Sequence, residues 1–159
     1  NVPVKEIHAM VMGGHGDTMV PLPRFTKVSG KSLIDIIKEG KISEERLENI
    51  NQRTRDGGAE IVKFLETGSA FYAPAAAGVQ MAEAYLKDTK QILPCAAFLD
   101  GQYGSKNIYA GVPVVIGKSG VEKIQEIDLD EKEKKEFNNS IKAVKKLWEV
   151  ATNIDSDLK

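Results

Sequence analysis

The side chains of this 159-residue sequence best equipped for chemistry are two histidines, one cysteine and a few polar residues set among glycines. His15 stands apart from the rest. In "MVMGGHGDTMVPL", residues 10–22, an apolar run stops at Gly13 and Gly14, and the imidazole is left between Gly14 and Gly16. Glycine on either side leaves a side chain uncrowded and opens backbone conformations closed to other residues, so such a histidine can face a cleft. An imidazole, with an ordinary pKa of about 6.5, accepts and returns a proton near neutral pH once another group fixes its tautomer. A loop histidine bonded to backbone has the same local sequence, and G-H-G alone leaves both readings open.

Other chemistries find less support. His8 alternates along a strand pattern and reads as structural or surface. Two histidines seven residues apart and a single cysteine give no metal-ligand spacing of the usual kinds. Cys95, within "ILPCAAFL", has no disulfide partner and reads as a buried structural thiol in a reducing compartment, which points to the cytoplasm. "GVPVVIGKS" puts five residues between Gly111 and Gly117 where a phosphate loop needs four, and no G-x-G-x-x-G occurs. Arg24, Arg53 and Arg55 read as surface or interface ion pairs.

The elements that must position His15 follow from composition and pattern. Hydrophobic residues at 42%, charged residues at 28% and a formal charge of -1 describe a folded chain with none of the concentrated positive charge of a nucleic-acid binder. No apolar stretch reaches the ~18 residues needed to span a bilayer, and the first residues lack the order of a secretion signal. The chain begins without methionine, and is expected to be a piece of something longer. Residues 4–12 read as one strand, with Ile7, Ala9 and Val11 on one face and Glu6, His8, Met10 and Met12 on the other. "MVPLPRFTKV" reads as an irregular or edge strand, because each proline removes an amide donor.

A short helix is predicted in "SLIDIIKEG" and a longer one from Ser43. That longer helix carries Leu47, Ile50, Ile61 and Leu65 on one face, and Gly57 and Gly58 within it suggest a kink or a close backbone contact. An alanine-rich helix follows, with Pro74 in its first turn. "QILPCAAFLDGQYG" is a strand ending in a turn, and "GKSG" separates two further strands in antiparallel fashion. Asp130 and Glu133 stand at capping-box spacing before a stripe of Phe137, Ile141, Val144, Trp148 and Ala151 expected to face the core. The whole reads as one α+β domain, residues 1–159, with antiparallel strands and long packed helices.

Three ordered landmarks carry a family resemblance: "GGHGDTMVPLPR" at 13–24, "TGSAFYAPAAAG" at 67–78 and "GQYGSKNIYAGVPVVIGKSGVEKI" at 101–124. With them the sequence resembles the carboxyl-terminal, substrate-side half of the NAD-dependent lactate and malate dehydrogenases. The resemblance implies that His15 is the proton carrier, with Gly14, Gly16 and Asp17 supporting its loop. Asp17 is expected to fix the loop through hydrogen bonds. It further implies that Ser69 and Ala70 line the substrate pocket opposite His15.

The small residues of "GSAF" and "YAPAAA" look more like the malate branch, whose substrate bears a second carboxylate, than the lactate branch. NAD, a small 2-hydroxy or 2-keto dicarboxylic acid and assembly as a homodimer or homotetramer are the implied cofactor, substrate and state. The dinucleotide fold, the aspartate that orients the histidine and the substrate-binding arginines are expected upstream, in an amino-terminal domain. A non-catalytic assembly module of the same fold is the competing class.

Overall fold

Alternating apolar residues across 91–124 build the long hairpin on which the other elements rest. In the computed structural model, which describes residues 2–158, β6 (Gln91–Asp100) pairs antiparallel with β7 (Lys106–Gly117), from Gln91 opposite Ile116 to Leu99 opposite Ile108. β8 (Gly120–Ile124) returns along β7 through the turn that the sequence predicts at "GKSG", with Gly117 opposite Gly120. Side chains alternate across a sheet with period two. Leu93, Ala97 and Leu99 of β6 therefore join Ala110, Val112, Val114 and Ile116 of β7 on one buried face.

β2 (Val11–Gly13) meets β7 at Gly111, and β3 (Met19–Pro21) lies outside β2. A separate small sheet has the order β1 (Ile7–His8), β4 (Lys27–Val28), β5 (Lys31–Ser32). All pairings among the described residues are antiparallel.

The single strand expected over residues 4–12 is thus two strands in two sheets, preceded by a 3-10 turn at Val4–Glu6. The predicted faces change with it, since Met12 is buried and Ile7 is 42% exposed. The cause lies at Met10, whose carbonyl accepts the Leu22 amide at 2.9 Å and draws the chain out of the small sheet. Each short strand then takes its inward face from a different partner, so one alternation cannot run through both.

Helices cover the sheets. α1 (Leu33–Lys38) is short, and α2 (Glu44–Leu65) is capped by Ser43, whose Oγ accepts the Arg46 amide at 3.1 Å. α2 runs unbroken through Gly57 and Gly58, and beyond their neighbours and the adjoining helix backbone no described atom lies within 4 Å of where either Cβ would stand. Neither a kink nor a close contact within the chain accounts for the pair. Leu47 is half-buried, whereas Ile50, Ile61 and Leu65 are exposed. α3 (Tyr72–Leu86) buries only Ala84.

α4 (Glu131–Ile154) opens on the predicted capping box: Asp130 Oδ1 accepts the Glu133 amide and Glu133 Oε2 accepts the Asp130 amide, both at 2.9 Å. Phe137 and Ile141 are buried and Val144 is half-buried, but Trp148 is 56% exposed. The stripe leaves the core because a helix of this length runs about 36 Å, while the three-residue strands β2 and β3 beneath it span only about 10 Å each.

Arg24 fastens this helix to the turn after β3. Its Nε and Nη2 donate to Glu133 Oε1 and Oε2 at 2.9 and 2.6 Å, and Nη2 also donates to the Asp128 carbonyl at 2.8 Å. The hydrogen bond to Glu133 raises the guanidinium pKa above its ordinary value. The surface or interface pair expected for Arg24 is a fork onto a nearly buried carboxylate.

Two substitutions separate these contributions in urea unfolding. Phe137→Ala, which empties the core beneath α4, should cost about 3–5 kcal/mol. Arg24→Ala should cost only about 1–2 kcal/mol: it strands a buried carboxylate, but water can replace a guanidinium that is 42% exposed.

Candidate active site

The loop bearing His15 begins where two glycines meet α4. Gly13 has φ +87°, a left-handed conformation that disfavours a side chain, and a Cβ there would lie 2.8 Å from Ser140 Cβ. Gly14 has no such backbone requirement. It is small for want of space, because a Cβ would stand 2.6 Å from Thr18 Oγ1 and 3.1 Å from Val144 Cγ2. Its N–H donates to Ser140 Oγ at 2.7 Å. On the opposite side, a Cβ on Gly111 of β7 would lie 2.8 Å from the Gly13 carbonyl oxygen.

Gly16, at φ +82°, turns the chain beyond His15 into a single 3-10 turn at Gly16–Thr18, from which β3 starts. The glycines flanking His15 therefore serve different ends, Gly14 for close packing and Gly16 for conformation.

His15 is exposed and extended, with φ -84° and ψ 144°, so its own backbone carries no strain. It stands at a concavity of about 220 Å³ whose walls include Val11, Met19, Pro94, Ala96 and Gly111. Such a placement suits proton exchange with a small molecule held against an apolar wall. No carboxylate of the described residues forms an ion pair with the ring. Asp17 is exposed, and the bonds that hold the loop come from elsewhere: Ser140 on one side, and on the other Arg55 of α2, whose Nε donates to the Met19 carbonyl at 3.2 Å. Arg55, read from the sequence as a surface or interface pair, is only 19% exposed.

Ser69 and Ala70 follow Gly68, at φ +84°, in the connection between α2 and α3. Ser69 is exposed and Ala70 half-buried, and neither belongs to the walls of the His15 concavity. Cys95 does belong to them, half-buried rather than fully buried, and its Sγ lies 3.4 Å from Met81 Sδ. Burial pushes its pKa up, which favours the thiol over the nucleophilic thiolate. Among the described residues no three histidine, cysteine, aspartate or glutamate side chains gather as a metal site, and no helix is long and apolar enough to cross a membrane.

The family model for the lactate/malate dehydrogenase alpha/beta C-terminal domain matches residues 1–154. The chain belongs to this dehydrogenase family. It is 80% identical over 158 residues to a malate dehydrogenase from Pelagibacter ubique, a match covering 99% of this chain and 49% of that protein. Among solved structures, the malate dehydrogenase of Cryptosporidium parvum superposes with TM-score 0.88 at 46% identity, covering 92% of this chain and 46% of its own. The lactate dehydrogenase of Eimeria maxima, solved with NADH and oxamate, superposes with TM-score 0.91 at 39% identity, covering 98% and 48%. The chain thus spans about half the length of the dehydrogenases it matches.

Sequence reasoning singled out His15 but missed what holds its loop. Gly111 had a signal, since a glycine inside a strand marks a close backbone approach. Ser140 had one too, being a small polar residue beside Phe137, Ile141 and Val144 on the inner stripe of α4. Gly111→Ala should press a methyl into the Gly13 carbonyl, cost about 1–3 kcal/mol and speed amide exchange across residues 13–16, as measured by urea unfolding and hydrogen-exchange mass spectrometry.

Proposed function

We propose that this chain is the substrate-side domain of an NAD-dependent malate dehydrogenase, interconverting malate and oxaloacetate with His15 as the proton carrier. The observation that carries the reading is the 80% identity to a malate dehydrogenase across 99% of the chain. An exposed imidazole on a loop held from both sides is in keeping with it.

In oxidation the neutral His15 ring takes the proton of the substrate hydroxyl. In reduction the imidazolium hydrogen-bonds the keto oxygen, polarises it and returns the proton. Ser69 and Ala70 lie outside the walls of the His15 concavity, and in this reading they come beside the substrate only in the complete site, where their small side chains leave room for a second carboxylate. The group that fixes the ring's tautomer is supplied by parts of the protein outside these residues.

The sequence has no G-x-G-x-x-G and the sheets of the described residues are antiparallel, which supports placing the dinucleotide cradle outside this domain. NAD, bound elsewhere in the longer chain, supplies the hydride exchange; the contribution of this domain is the proton and one wall of the pocket. Exposed Phe64, Tyr72 and Leu86 on the α2 and α3 side favour association with a further apolar surface, in keeping with a homodimer or homotetramer.

The likeness to lactate dehydrogenases, at TM-score 0.91, supports a second reading in which the substrate is lactate. Rates of the full-length protein with oxaloacetate and with pyruvate separate the two, and faster turnover of oxaloacetate is expected. His15→Asn in the full-length protein should lower kcat by about 10²–10⁴-fold, the range of general acid–base catalysis, with NADH binding by fluorescence titration nearly unchanged. Unchanged turnover would remove His15 from the reaction.

A further inference from the structure

The peptide unit joining Gly13 to Gly14 is closely packed at its carbonyl end and hydrogen-bonded at its N–H end. Its carbonyl oxygen faces Gly111 of β7 so closely that a Cβ there would stand 2.8 Å away, and its N–H donates to Ser140 Oγ of α4 at 2.7 Å. A peptide unit is planar, so fixing its two ends fixes the plane from which the chain enters Gly14 and then His15. We infer that Ser140 is a positioning residue for His15, setting the direction of the catalytic loop through the Gly14 amide. The inference rests on the proton-carrier reading above.

The placement of Ser140 is itself determined. It lies on the same face of α4 as Phe137 and Val144, is almost fully buried, and follows Glu133 by seven residues, two helical turns, about 10 Å along the axis. Glu133 is gripped by Arg24 at the far end of the segment that leaves the loop through β3. α4 therefore holds the β2–loop–β3 segment at two points: one by the Arg24 fork and one by the Ser140 hydroxyl. A half-buried N–H that loses its acceptor finds another, or water, by moving, and the atom that moves is one residue from His15. Misplacing a catalytic group by about an ångström can cost up to about 10²-fold in rate, so a hydroxyl that never touches substrate can still set kcat.

The test uses the full-length protein, with Ser140→Ala removing the acceptor and Ile141→Val trimming the neighbouring core without touching it. Ser140→Ala should lower kcat about tenfold, leave the KM for NADH unchanged and speed exchange of the Gly14 amide in NMR. Ile141→Val should leave kcat and that exchange rate at wild-type values. Ser140→Ala with wild-type kcat overturns the inference, as does an equal loss of kcat in Ile141→Val, which would mean that loosening α4 is enough. His15→Asn, measured alongside, keeps two failures apart. Full turnover in that variant rejects the proton-carrier reading itself, whereas loss of turnover there with normal Ser140→Ala rejects only the role of Ser140.

Discussion

The Gly13–Gly14 peptide is the point where sheet, loop and helix meet, and the approach of three surfaces to it constrains the rest of the domain. β7 comes in through Gly111, α4 through Ser140, and the returning loop through Thr18. Any side chain at Gly13, Gly14 or Gly111 would occupy space already taken by one of the others. With no side chains present, the backbones come close enough for a half-buried amide to be satisfied by a serine hydroxyl instead of water. Burying such a group without a partner would cost on the order of 1–3 kcal/mol. The reward is a loop whose first peptide cannot rotate, followed by a histidine left free and exposed.

The position of α4 depends on interactions of two kinds. Phe137 and Ile141 bury against the sheet and bring the helix down without regard to direction. The capping box and the Arg24 fork fix its start and its rotation, because a planar guanidinium meeting a carboxylate through two bonds tolerates little misalignment. With rotation fixed, Ser140 faces Gly14; a one-residue slip would present Asn139 or Ile141 instead. Local electrostatics at one end of the helix thereby reach the His15 loop two turns away.

Much of this was legible in the sequence wherever neighbours along the chain settle the structure. The "GKSG" turn, the helix start at Ser43, the box at Asp130 and Glu133 and the strands β6 and β7 depend on residues only a few positions apart. Readings that needed a distant partner fared differently. Residues 4–12 have one alternation but serve two sheets, and the reason is a bond from Leu22 to Met10. Trp148 fits the helical stripe, yet the strands that would cover it are too short to reach it.

By itself the sequence determined the α+β class, the helix starts, the hairpin turns and the setting of one histidine among glycines, because these follow from residue type and short-range spacing. Only the tertiary structure decided what Gly13, Gly14 and Gly111 are for and why Ser140 is a serine. The peptide at Gly14 lies 126 positions from the hydroxyl that holds it. No periodicity links residues so far apart, since what brings them together is the burial of Phe137 and Ile141 and the two-point grip on α4.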